Sequence, residues 1–176
     1  MAATLTRFKA GELPEHLVWQ SLSFMRCEWP SLFAGSGRLR SCPYPAIAHL
    51  TCTDGRVLLS YADIVSGEAD TPSGRLSVLG LSNVFTFPPY RREGNASRIV
   101  RAANAFIDEH KPGIAILFCK QDLASFYSAM DWTPAPAGTI TSPSDAALAM
   151  VRRTLTSGLE LAAQLRRSPL TLSAAW

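Results

Sequence analysis

The sequence has no apolar run longer than six residues; Ile114 to Cys119 and Ala146 to Val151 are the longest. A bilayer-spanning helix needs about 20 such residues, so none is expected. Charge is also scarce: Asp, Glu, Lys and Arg make up 18% of the 176 residues, against about 25% in an ordinary soluble domain. Seventeen Lys and Arg against fourteen Asp and Glu leave a net +3, and no basic run exceeds two residues. That argues against nucleic acid as a partner but leaves room for a local anion site. His16, His49 and His110 lie far apart, with no carboxylate or thiol at ligand spacing, so no metal site is expected. Cys27, Cys42, Cys52 and Cys119 form no CxxC pair. They read as reduced thiols, although spacing alone leaves a disulfide open. Met1 to Arg7 lacks the apolar stretch of a signal peptide, so the expected location is the cytoplasm.

What remains is a globular chain, 47% apolar with a mean hydropathy of +0.08. Its length suits one domain, 1–176, with no repeat or low-complexity block. Pro14 and the spacing of Leu17, Val18, Ser21, Phe24 and Met25 predict a helix over Leu13 to Trp29, stopped by Pro30. Two apolar runs, Ala46 to Thr53 and Arg56 to Val65, flank Asp54-Gly55, a strong hairpin signal. Ser66 to Gly74 reads as a polar loop, and Arg75 to Thr86 as a long central strand. Asn95 to His110 is the clearest helix. Ala96, Ile99, Val100, Ala103, Phe106 and Ile107 share one face, while Arg98, Arg101, Asn104 and Asp108 fall on the other. Ile114 to Cys119 reads as a buried strand, followed by a short helix capped by Asp122 and running through Met130. Trp132 to Pro136 and Ala146 to Arg152 predict a last hairpin, and Thr156 to Arg167 a terminal helix. The order of elements is that of an α/β (α+β) domain with a mixed sheet.

Chemistry concentrates where the long strand meets the long helix, in Val84-Phe-Thr-Phe-Pro-Pro-Tyr-Arg-Arg-Glu-Gly-Asn-Ala96. A helix start presents unpaired N–H groups and the positive end of the dipole, so it suits a phosphate. Gly94 lets the backbone approach an anion, and Arg91 and Arg92 add charge. This is neither a Walker loop nor a GxGxxG fingerprint. On spacing alone, ordinary turn chemistry is the better explanation of these residues.

Arg91-x-x-Gly94-x-Ala96 resembles the Arg/Gln-x-x-Gly-x-Gly/Ala signature of the GNAT superfamily of N-acetyltransferases, in the same strand-turn-helix setting. Downstream, Ala124-Ser-Phe-Tyr127-Ser-Ala-Met-Asp-Trp132 is similar to that family's Ala-x-x-Phe-Tyr-x-x-x-Gly-Phe/Trp segment. The likeness is strong over 82–132 and extends at fold level over roughly 13–152. It implies a mostly antiparallel mixed sheet, splayed in the middle and flanked by helices, with acetyl-CoA lying in the gap as co-substrate and no metal. It further implies that Val84, Phe85 and Thr86 offer backbone groups to the pantetheine arm and acetyl carbonyl. The amides around Arg91, Arg92, Glu93, Gly94, Asn95 and Ala96 would hold the pyrophosphate. Tyr127 would protonate the leaving thiolate as general acid; without the motif, it reads as a core aromatic with its hydroxyl satisfied by backbone.

The sequence departs from that pattern in places. Asp131 stands where the family has glycine, and Arg92 where glycine is frequent. Ser77 to Asn83 holds no carboxylate, so the usual base on the long strand is missing. A water chain, Asp63, or an acid in the Glu68/Asp70 segment are the alternatives, unless the amine arrives neutral. The resemblance implies transfer to a primary amine of a small molecule by direct attack in a ternary complex. Protein lysines or N-termini are an alternative acceptor, and a non-catalytic acyl-CoA-binding sensor is the rival reading. Trp19, Trp29 and Phe33 are candidates to line an acceptor pocket, although core packing explains such aromatics as well. A monomer or homodimer is expected, with neither nucleic acid nor membrane as partner. The role of the tail to Trp176 is open.

Overall fold

The computed structural model describes residues 3–33, 45–71, 74–140, 148–152 and 170–172. Its first element is one that the sequence pattern hides, strand β1 (Thr4–Lys9), exposed or half-buried along its whole length. It forms one edge of the sheet, paired antiparallel to β2 (Ala46–Asp54) from Thr4↔Thr53 to Lys9↔Ala48. A strand with no deeply buried face carries no clean apolar alternation, and its backbone pairing holds it.

Gly55, at φ 59, makes the expected turn from β2 into β3 (Val57–Thr71), which pairs with β4 (Gly74–Thr86). In the polar segment Ser66 to Gly74, whose composition suggests a loop, the described residues are strand: 66–71 in β3 and Gly74 at the start of β4. They extend the β3–β4 hairpin through Glu68↔Ser77 and Asp70↔Arg75, and Ala69 and Asp70 also pair with β8 (Thr171–Leu172). Backbone pairing with β4, and at Ala69 and Asp70 with β8 as well, makes this segment a strand, and Ala69 alone is buried among its polar neighbours.

Helix α1 (Glu15–Glu28) follows β1, and α2 (Asn95–His110) follows β4. β5 (Ile114–Cys119) leads through a 3₁₀ turn, Gln121–Leu123, to the short α3 (Ala124–Ser128). Asp122 lies inside that turn and caps nothing: the N-cap of α3 is Leu123, with no side-chain cap, and the helix ends before Met130. β6 (Trp132–Pro134) and β7 (Leu148–Arg152) pair antiparallel, as predicted. The predicted terminal helix, Thr156 to Arg167, and Trp176 lie outside the described residues.

The sheet order is β1-β2-β3-β4-β5-β7-β6, with β8 beside β3. Among the described strands only β4 and β5 run parallel. The fold is thus α/β with a mixed, mostly antiparallel sheet, flanked by helices. One face packs against α1, through Leu17, Phe24 and Met25 on Tyr61 and Phe85. The other packs against α2, through Ile99, Val100, Ala103 and Ile107 on Leu50, Ile64 and Leu117. Asn104, expected on the solvent face of α2, is buried instead. Its Nδ2 donates to the Met130 carbonyl (2.9 Å), and its Oδ1 accepts from the indole of the fully buried Trp132 (3.0 Å). This pair ties α2 to the segment after α3. Trp132→Phe strands Oδ1 in the core, and urea unfolding is expected to show a loss of about 1–3 kcal/mol. An unchanged midpoint contradicts this account.

Candidate functional site

Strands β4 and β5 pair only from Val78↔Ile114 to Leu81↔Leu117, yet β4 continues to Thr86 and β5 to Cys119. The two part at Ser82. Their departure coincides with a bulge: between Asp63↔Ser82 and Tyr61↔Phe85, β4 spends one residue more than β3, and Asn83 turns left-handed at φ 52. β5 meanwhile keeps its pairing with β7 through Cys119↔Leu148. A gap opens that is walled by one strand on each side.

The backbone of Val84 to Thr86 divides between two neighbours. The Phe87 N–H donates to the Leu59 carbonyl (2.9 Å), so alternation turns the groups of Phe85 toward β3 and those of Val84 and Thr86 toward the gap. The Phe85 carbonyl accepts from the Ser60 hydroxyl (2.7 Å), and its ring stacks on Phe24 with centroids 4.3 Å apart. Val84 is half-buried and packs in the cluster that holds Leu117, Cys119 and Tyr127. Arg91 Nε donates to the Thr86 carbonyl (3.0 Å), and the Thr86 hydroxyl lies 2.9 Å from that of Ser60.

Past the 3₁₀ turn Pro88–Tyr90, Arg92 and Gly94 both adopt left-handed backbone, at φ 66 and 80. Gly94 is the residue before α2, and no side chain caps the helix. The first intrahelical bond runs from the Arg98 N–H to the Gly94 carbonyl (3.0 Å), so the N–H groups of Asn95, Ala96 and Ser97 stay unpaired by helix geometry. Ser97 belongs with its neighbours although the motif stops at Ala96; counting the orphan donors of the first turn identifies it. Asn95 is buried and braces the loop, its Nδ2 donating to the Tyr90 carbonyl (3.2 Å). Arg91, Arg92, Glu93 and Gly94 are exposed at the mouth.

Tyr127 is 5% exposed, with its ring edge-on to Phe126. Its hydroxyl has no protein partner among the described residues, where a buried tyrosine ordinarily finds one. Burial, then the Cys119 side chain, raises its pKa well above the usual phenol range. The Cys119 thiol is pushed up to about 11, by burial first and the Asp122 carboxylate second. Cys52 is raised by burial, partly offset by the Arg98 guanidinium. Cys27, Cys52 and Cys119 are free thiols.

The remaining candidates fall elsewhere. Glu68 and Asp70 stand exposed on the hairpin arm, paired with Arg75 at 3.1 and 3.6 Å. Asp63 lies buried in β3 with His49, Tyr61 and Asn83 around it. Trp19 is 60% exposed and borders a groove of about 450 Å³ with Val57, Phe87 and Tyr90, whereas Trp29 and Phe33 pack against the α1 cluster. Asp131 takes the left-handed conformation itself, at φ 64, with Arg152 at 3.5 Å. No group of three or more potential metal ligands occurs among the described residues, and no described helix is long and apolar enough to cross a membrane.

No family model and no curated protein matches the sequence. Solved structures do match. ElaA of Escherichia coli superposes with a TM-score of 0.60 at 17% identity, over 86% of this chain and 100% of that one. An acyl-CoA N-acyltransferase from Pseudomonas aeruginosa gives 0.60 at 15%, over 86% and 100%. The GNAT family N-acetyltransferase YhbS of Escherichia coli, solved in complex with CoA, gives 0.60 at 16%, over 90% and 84%. The chain therefore has the GNAT fold.

The raised thiol carries a testable sign. Below pH 9 Cys119 keeps its proton in both folded and unfolded chains. Above 9.0 the unfolded chain releases it first, so stability falls as pH rises from about 9 towards 11. Urea unfolding at fixed pH is expected to show the free energy declining across pH 9 to 10, and less steeply in Cys119→Ala. Equal slopes contradict the assignment.

Proposed function

We propose that the protein is an acyl-CoA-dependent N-acyltransferase, moving an acetyl group from acetyl-CoA to a primary amine of a small molecule in the cytoplasm. One observation carries this reading. The gap between β4 and β5 leads to an uncapped helix start, and in the same cluster as Val84 stands Tyr127, a buried tyrosine whose hydroxyl has no protein partner among the described residues. A donor with an anionic pyrophosphate and a long neutral arm suits that arrangement. The N–H groups from Arg92 through Ser97 hold the pyrophosphate, with Arg91 and Arg92 adding charge. The backbone of Val84 and Thr86 meets the pantetheine arm and polarises the thioester carbonyl.

The amine nitrogen attacks the thioester carbon, the carbon–sulfur bond breaks, and Tyr127 delivers its proton to the departing sulfur. Its raised pKa keeps that proton in place across the physiological range. Direct attack is favoured over an acyl-cysteine route, because a thiol at about 11 supplies almost no thiolate at neutral pH. Asp63 is not an open base, since three donors already occupy its carboxylate. The amine enters neutral or first loses its proton to water; the proton that nitrogen then sheds on amide formation passes to water, from which the Tyr127 phenolate regains its own.

The test is thiol release from acetyl-CoA across a panel of small amines and lysine peptides. Tyr127→Phe is expected to lower kcat by about 10²-fold or more while leaving coenzyme A affinity unchanged. A residual rate equal to the parent's removes the general-acid role. Gly94→Val forces a side chain onto left-handed backbone at the anion site, and calorimetry is expected to show coenzyme A binding weakened about tenfold or more. Cofactor-induced thermal stabilisation without turnover of any amine points instead to an acyl-CoA sensor. An absence of coenzyme A binding contradicts both readings.

A further inference from the structure

A left-handed non-glycine residue inside a strand persists only where its surroundings hold it. At Asn83 the hold is visible. Its Nδ2 donates to Asp63 Oδ2 (2.8 Å). The other oxygen of that carboxylate accepts the Tyr61 hydroxyl (2.5 Å) and the Nδ1–H of His49 (2.6 Å), which also lies 2.8 Å from the Tyr61 oxygen. The tautomer follows from the network, since an acceptor-only carboxylate requires a proton on Nδ1. His49, Tyr61 and Asp63 are each at most 2% exposed. Side chains from three adjacent strands thus converge on one carboxylate, next to the point where β4 leaves β5.

Beyond the bulge a second hold repeats the pattern, with Ser60 bonded to the Phe85 carbonyl and to the Thr86 hydroxyl. Apolar packing would fill this space without burying a charge and its donors. What the polar network adds is direction: each hydrogen bond fixes an angle, and together they fix which way β4 turns.

Resting on the acyltransferase reading, we propose that Asp63, acting through Asn83, is a positioning residue for acyl transfer. It touches neither donor nor acceptor. By pinning the bulge it sets the direction of the Val84 backbone groups that meet the thioester. The start of α2, eleven residues further along, holds the pyrophosphate independently. Donor affinity and turnover are therefore separable, and loss of the pin acts on turnover.

The experiment compares Asn83→Gly, Asp63→Ala, Asp63→Asn and the double variant Asn83→Gly/Asp63→Ala. Glycine keeps the left-handed backbone but removes the pin, so Asn83→Gly folds even where Asp63→Ala does not. Each of Asn83→Gly and Asp63→Ala is expected to lower kcat about tenfold, with coenzyme A affinity within about threefold of the parent. The double variant is expected to lose no more than the worse single, because both changes break one contact. Asp63→Asn, which retains an acceptor for Asn83, is expected to recover part of the loss. Amide hydrogen exchange at Phe85 in the free protein is expected to quicken in Asn83→Gly. That readout needs no turnover, so it judges the pin even if no amine is acetylated and the acyltransferase reading fails. Additive losses, an affinity loss as large as the kcat loss, or unchanged exchange at Phe85 overturns the proposal.

Discussion

Two parallel strands that part company must find other partners for the backbone groups they had shared. In this protein β4 and β5 separate after Leu81↔Leu117, and the remaining features of the site answer that separation. β5 keeps its bonds to β7 on its far side, and β4 keeps most of its bonds to β3. The edges that face each other are left for water or a ligand. The gap stays open because both outer pairings persist and because the bulge at Asn83 turns β4 away.

The chemistry follows from where the splayed strand ends. β4 delivers the chain through Pro88 and Pro89 to a helix whose first turn offers uncapped N–H groups, so an anion can bind where the gap reaches solvent. On the opposite wall β5 ends at Cys119, and the turn into α3 brings Tyr127 back beside it. The α2 start, the open strand edges and Tyr127 come from three separate stretches of sequence. Asp131 does not disturb this, because it adopts the left-handed backbone that glycine takes most readily and has a guanidinium nearby.

Much of this was legible in the residues. The period of α2, the Asp54-Gly55 turn, the run Ile114 to Cys119 and the paired motifs around Gly94 and Tyr127 each carry a local signal. Three features were not legible, and each depends on pairing rather than on local preference. β1 is an edge strand without a buried face. The β3–β4 arm is polar because one side faces water. The buried carboxylate network depends on register: beside the turn Thr53 faces Leu58, but a bulge then shifts the ladder so that Cys52 faces Ser60 and His49 faces Asp63. Without that one-residue shift His49 would face Ala62, and no sequence pattern announces it. Asn104 went to the wrong face of α2 for a related reason, since its partners, Met130 and Trp132, come from a distant segment.

The central claim is that the gap between β4 and β5, together with the start of α2, is a coenzyme A site. A crystal structure of the protein with bound coenzyme A tests it most directly. The account predicts the pyrophosphate against the amides of Gly94 to Ser97, the pantetheine arm between Val84 and Leu117, and the sulfur within hydrogen-bonding reach of the Tyr127 hydroxyl. Coenzyme A bound on another face, or a pyrophosphate held away from the α2 start, contradicts it.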